Sequence, residues 1–184
     1  RNGDGVVDDN DRDIIGNPNP DFTYGFQTKV SWKSLSLSAS FNGVQGRDIL
    51  NVGNRYNNTP GTKSNNVTRK AFQNMWTDEN PSNLYPKSTF VVQNMVMDRY
   101  VEDGSYLRCS DITLSYVLPA KWTNKIGIKN TSVYASVKNA FVITDYSGYD
   151  PEVNSFAFDG LRPGVDMNSY PTPRSFVFGL NLTF

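Results

Sequence analysis

Histidine is missing altogether from the 184 residues, and cysteine occurs once, as Cys109. Without His there is no His-based triad, no imidazole general base and no His-ligated zinc. One cysteine closes no internal disulfide; between Arg108 and Ser110, in a strand-like run, it reads as a passive side chain. Net charge is absent too. Lys and Arg number 18 and so do Asp and Glu, so no overall field favours nucleic acid or an acidic partner. No apolar run is long enough for a transmembrane helix. The chain opens on Arg1, without Met or leader, and is expected to be a piece of a longer protein.

What is present is aromatic: 3 Trp, 10 Tyr and 11 Phe in a chain of low mean hydropathy. That combination suits a porin-like wall with long polar loops better than a compact soluble core. The last stretch shows the wall pattern most cleanly. Over 175–184, Phe176, Phe178, Leu180, Leu182 and Phe184 alternate with Val177, Gly179, Asn181 and Thr183, a period of two with one apolar face. The same alternation runs through 22–32 (Phe22, Tyr24, Phe26, Val30 and Trp32 on one side) and 35–42 (Leu35, Leu37, Ala39 and Phe41). It returns in 105–118 (Ile112, Leu114, Tyr116 and Leu118) and 131–141 (Val133, Ala135, Val137 and Phe141). The opposite faces carry Lys29, Asp111, Ser115, Lys138 and Asn181. Asp111 fits a wet lumen, since an unpaired carboxylate in a dry core is costly.

The connectors run short, long, short, long: 33–34, then 43–104, then 119–130, then 142–172. An up-and-down barrel with periplasmic turns and external loops sorts its connectors this way; a soluble sandwich has no reason to. The fold class predicted is therefore all-β, an antiparallel up-and-down transmembrane β-barrel of which this chain holds about five strands. Residues 65–76 could add a short helix within the first long loop.

Ahead of the strands, residues 1–16 hold an acidic turn of calcium type. If a residue preceding Arg1 is counted first, Asn2, Asp4, Asp8 and Asp11 fall at loop positions 3, 5, 9 and 12. Gly5 then takes the sharp turn at position 6, and Val6 offers its carbonyl at 7. The first ligand is missing and position 12 is Asp rather than Glu. Ca²⁺ is thus a possible cofactor, with a solvated acidic turn as the alternative.

In this order, Asn2-Gly-Asp-Gly5 with Asp11-Arg12 and Ile15-Gly16, Trp76-Thr77 with Glu79-Asn-Pro81, and Val101-Glu-Asp-Gly-Ser-Tyr-Leu-Arg108 resemble the C-terminal part of the SusC/RagA family of TonB-dependent outer-membrane transporters of Bacteroidota. So do Ile112-Thr-Leu with Tyr116 and Leu118-Pro119, Tyr146-Ser-Gly-Tyr-Asp-Pro-Glu152, Gly164-Val-Asp166, Tyr170-Pro171 and the terminal Phe-Gly-Leu-Asn-Leu-Thr-Phe184. The resemblance implies a barrel of about 22 strands around an N-terminal plug, residence in the outer membrane and its lipid, a SusD-like lipoprotein lid, and energy from the TonB complex acting through parts absent here. It implies import of glycans or oligopeptides and no enzymatic activity, with Phe184 as the terminal aromatic read during barrel assembly.

On that reading the loop aromatics Trp76, Tyr85, Tyr146 and Tyr149 are candidates to stack on substrate. A secreted, calcium-stabilised β-sandwich that binds carbohydrate is the alternative. A glycoside hydrolase would need two carboxylates at a fixed separation; Asp150 and Glu152 stand two apart in an Asp-Pro-Glu that reads as turn chemistry.

Overall fold

The computed structural model describes residues 3–5, 8–59, 66–88, 96–123, 128 and 130–183. In chain order its strands are β1 (Phe22–Trp32), β2 (Leu35–Gln45), β3 (Asp48–Asn51), β4 (Val101–Asp103), β5 (Tyr106–Val117), β6 (Asn130–Thr144), β7 (Val165–Asp166) and β8 (Ser175–Thr183). Helices α1 (Val52–Asn58) and α2 (Arg69–Asn74) fall in the first long connector, and α3 (Ala120–Thr123) in the second short one. Contacts divide the chain into two compact units.

One unit, drawn from residues 20–46, 104–152 and 170–184, is a five-stranded antiparallel sheet in the order β1-β2-β5-β6-β8. β1 and β8 are its edges. β1 and β2 pair without a slip from Phe22↔Gln45 to Trp32↔Leu35 around the two-residue turn at 33–34, where Lys33 takes a left-handed backbone (φ 53°). Because neighbours alternate in direction, both short connectors lie at one end of the sheet and both long ones at the other.

The strands outrun their expected bounds: β2 continues to Gln45 rather than 42, and β6 spans 130–144 rather than 131–141. β5 is slightly shorter than expected, at 106–117 rather than 105–118. Its regular alternation breaks at Ser110, where the register shifts against both neighbours: Ser40 faces Asp111 but Phe41 faces Cys109, and Asp111 faces Lys138 but Cys109 faces Phe141. This is a β-bulge, an extra residue that flips the parity of what precedes it. Ser110 Oγ donates to the Ser40 carbonyl at 3.1 Å, and Asn139 on β6 is left-handed (φ 51°).

With the bulge included, one face of the sheet is largely apolar, with Thr28, Gln45 and Thr131 as polar exceptions. Phe26 stacks on Phe41 at 4.6 Å between ring centres, and Phe41 meets Phe141 edge-on at 6.4 Å. This face is open: Phe176, Phe178 and Leu180 are 66%, 79% and 57% exposed, so β8 has no second layer over it. Cys109 lies in register with Phe41 and Phe141 and is fully buried. Two glycines take a tyrosine ring from the neighbouring strand. A Cβ on Gly43 would come within 2.3 Å of the Tyr24 ring and 2.7 Å of the Tyr106 carbonyl, and one on Gly179 within 2.2 Å of the Tyr134 ring.

The other unit is built from residues 1–19, 47–103 and 153–169, that is, from the segment before β1 and most of both long connectors. Far from lacking strand structure, the first long connector supplies β3 as the centre of a small sheet, antiparallel to β4 and parallel to β7. Ile49 at its middle is fully buried. The segment before β1 binds the same strand: Asn17 N–H donates to Asp48 Oδ2 (2.7 Å) and Asp48 N–H to the Asn17 carbonyl (2.8 Å). Gly16 approaches so closely that a Cβ would sit 2.9 Å from Val101 Cγ1. Asn51 ends β3 and caps α1 by accepting from Asn54 N–H (2.8 Å); Thr68 caps α2 by accepting from Ala71 N–H (3.2 Å). α2 realises the helix expected within 65–76.

Candidate functional site

The polar face of the five-stranded sheet is organised by two charged clusters. Asp111, placed by the bulge, receives Lys138 Nζ from the next strand at 2.7 Å, Ser136 Oγ at 2.8 Å and Thr113 Oγ1 at 2.8 Å. Asp111 is thus paired across the strands, with its side chain 21% and that of Lys138 55% exposed.

The second cluster centres on Arg108, which is 5% exposed. Its Nη2 donates to Asp150 Oδ1 at 2.5 Å, and its Nε lies 3.0 Å from Glu152 Oε2, within ion-pair range although its N–H does not aim along that line. Tyr106 OH donates to Glu152 Oε1 at 2.5 Å and Asn42 Nδ2 to the same oxygen at 3.1 Å. Asp150, 2% exposed, also accepts the backbone amides of Glu152 (3.0 Å) and Thr172 (3.1 Å). Burial alone would push its carboxyl pKa up. The Glu152 and Thr172 amides, the Thr172 hydroxyl and Arg108 more than offset that, and the carboxyl titrates below the ordinary range. The Asp150–Glu152 pair is therefore a turn fastened to Arg108, with one guanidinium in ion-pair range of both carboxylates. It has no free acid and base flanking a space for a glycosidic bond.

The aromatic candidates separate. Tyr146 is 5% exposed, its ring packed where a Cβ on Gly148 would stand, while Tyr149 is 74% exposed. Trp76 and Tyr85 are brought together: Met75 and Tyr85 form a parallel bridge, Trp76 N–H donates to the Tyr85 carbonyl at 3.1 Å, and Lys87 Nζ sits 5.0 Å over the Trp76 ring. Tyr85 also lines a cavity of about 280 Å³ together with Asn54, Asn58, Lys70, Arg99 and Tyr100. Sequence reasoning missed this cavity, because its wall comes from α1, α2, the 83–86 segment and the turn before β4, which no local spacing ties together.

Of the expected calcium ligands, Asn2 and Val6 lie outside the described residues. Asp8 caps a short 3-10 turn, accepting from Asn10 N–H at 2.8 Å, while Asp11 Oδ2 accepts from Asp8 N–H at 3.3 Å. Among the described residues no three acidic side chains converge as a metal site.

No family model matches the chain. Curated relatives do, along its whole length. TonB-dependent receptor P26 of Formosa agariphila is 34% identical over 191 residues, covering 100% of this chain and 19% of the receptor. TonB-dependent receptor SusC of Bacteroides thetaiotaomicron is 34% identical over 191 residues, covering 100% of this chain and 17% of SusC. Among solved structures, the RagAB peptide transporter superposes with a TM-score of 0.78 at 29% identity, over 93% of this chain and 18% of that one. The chain thus spans less than a fifth of the length of these relatives.

Proposed function

This chain belongs to the SusC/RagA family of TonB-dependent receptors, and we propose that it serves as wall strands and external loops of an outer-membrane importer of glycans or oligopeptides. The observation that carries the reading is the five-stranded sheet with one largely apolar, uncovered face and one hydrogen-bonded polar face. Each large apolar side chain on that face is worth roughly 1.5–3 kcal/mol when removed from water. Bilayer hydrocarbon supplies that environment. The open edges of β1 and β8 ask for further strands, since unpaired backbone groups are expensive in lipid. The role is transport, not catalysis.

A SusD-like lipoprotein as lid and the TonB complex as energy source belong to the same proposal; SusC and the RagAB complex are the relatives that support it. On this arrangement the long connectors face the outside, where Tyr149 and the Trp76–Tyr85 pair can meet lid or substrate. Calcium at Asn2, Asp4, Val6, Asp8 and Asp11 is proposed with them, because the spacing of hard oxygen donors suits the ion. Terbium luminescence that calcium quenches in the receptor, and that Asp4→Asn with Asp8→Asn removes, is the expected result.

The decisive experiment locates the receptor by membrane fractionation and asks whether a lipoprotein copurifies with it in detergent. Recovery from the outer membrane with such a partner supports the proposal. A soluble, partnerless protein would return the case to the calcium-stabilised sandwich.

A further inference from the structure

The cavity among α1, α2 and the 83–86 segment carries charge of one sign. Lys70 and Arg99 line it, and among the described residues no Asp or Glu does. Among the described residues neither cation has a carboxylate partner: Lys70 has no ion pair, and Arg99 spends one Nη2 on long bonds to the Asn83 and Leu84 carbonyls, at 3.5 and 3.4 Å. Two acids close in sequence to Arg99 each have one oxygen engaged by neutral donors. Glu102 Oε1 accepts from Asn51 and Asn54 at 3.0 and 2.9 Å, and Asp98 Oδ1 accepts the Arg99 amide at 2.8 Å. The rest of the wall is preorganised: Asn58 donates to Asn54 and accepts from Thr68 Oγ1 (2.6 Å), and Tyr100 OH pairs with Thr59 Oγ1 (3.2 Å).

Such a wall combines two available cations, side-chain amides fixed in orientation, and the Tyr85 ring. Cations bind a carboxylate or sulfate by charge-assisted hydrogen bonds, amides match sugar hydroxyls, and a phenol face packs on a pyranose. At about 280 Å³ the space lies just below the roughly 300–1,000 Å³ usual for small-molecule sites, enough for a sugar unit rather than a folded chain. A peptide would ask for an unpaired strand edge or apolar side-chain pockets; here Asn54, Asn58 and Asn83 stand beside Leu84, Tyr85, Pro86 and Tyr100, a mixed wall that suits a sugar's hydroxyls and C–H face.

We infer that this cavity is a subsite for an acidic oligosaccharide, with Lys70 and Arg99 as the cations of its wall and Tyr85 as its aromatic surface. This rests on the import reading and names a substrate class within it.

The test uses the receptor that carries this chain, purified in detergent. Calorimetry compares uronate-containing and sulfated oligosaccharides, each beside its carboxyl-reduced or desulfated counterpart, with oligoglutamate as a peptide control. At least one acidic sugar is expected to bind about tenfold more tightly than its neutral counterpart, the size of one charge-assisted contact. The preference should shrink as salt rises. Lys70→Gln with Arg99→Gln should erase it. Because Arg99 also holds the 83–84 carbonyls, Lys70→Gln alone is the second variant, and it should lower the preference severalfold with an unaltered melting temperature. Equal binding of acidic and neutral sugars, a preference that survives both variants, or tighter binding of oligoglutamate would each overturn the inference. TonB-dependent uptake in cells is scored separately: binding preference without uptake sinks the import reading and leaves the subsite standing.

Discussion

Arg108 and Asp150, 42 residues apart in the chain, meet side chain to side chain with 6% and 3% of their side-chain surface exposed. The pair fastens the start of the second long connector to the polar face of β5. Deleting the cation alone strands two carboxylates, so Arg108→Met is expected to cost about 3–5 kcal/mol of local stability. Hydrogen exchange at the Glu152 and Thr172 amides, which both donate to Asp150, should accelerate a hundredfold or more. Unchanged exchange would show that the turn is held by something else.

The same amides should report acidity. Asp150 has its pKa lowered by folding, so the stabilisation it brings is complete above the unfolded carboxylate value of about 3.9 and disappears as pH falls through the lower folded value. Protection of Glu152 and Thr172 should therefore hold from neutrality to about pH 4 and decline below it. Asp150→Asn should flatten that decline; an unaltered profile in the variant would assign the titration elsewhere.

Gly43 and Gly179 look equivalent but should behave differently. All three atoms nearest a Cβ on Gly179 belong to the Tyr134 ring, whereas a Cβ on Gly43 also meets the Tyr106 backbone carbonyl. Gly179→Ala should cost about 1–3 kcal/mol and be rescued by Tyr134→Ser. Gly43→Ala should cost at least as much and gain little from Tyr24→Ser. Melting temperatures of the four variants decide it, and rescue at both sites would contradict the backbone contact.

Phe178 and Asn181 lie on opposite faces of β8. Phe178→Arg places a charge on the face assigned to lipid, at about 2–4 kcal/mol if it sits near the bilayer midplane, while Asn181→Arg enters a polar lumen at little cost. Outer-membrane yield should fall for the first and not for the second. Equal yields would remove the assignment of faces.

How far the sequence could be read follows from which rule governs each part. A period of two is local, so Phe176, Phe178 and Leu180 showed their shared face directly, and loop lengths showed the strand order. The N-terminal half of β5 was harder. Ser110 inserts a residue, and Tyr106 and Arg108 thereby share the polar face with Asp111 rather than the face their numbering suggests. Nothing local marks Ser110 as a bulge. The long connectors resisted for another reason: β3, β4 and β7 are 4, 3 and 2 residues long, too short for alternation to register, and their pairing is between distant segments. The cavity was invisible on the same ground, although Tyr85 itself stood out as a loop aromatic. Asp150 and Glu152 were legible as a turn, but not Arg108 as the residue that secures them.

β3 and β7 come from different connectors yet share a parallel pairing, Leu50↔Val165 and Asn51↔Asp166, reinforced by Leu50 N–H donating to the Gly164 carbonyl at 2.8 Å. A backbone seam of this kind makes the two loops a single inheritable part. Grafting one of them onto a sister receptor would leave half a sheet without its mate, so a chimaera that keeps this small sheet requires both to be moved together, along with the stretch around Asn17 that clips to Asp48.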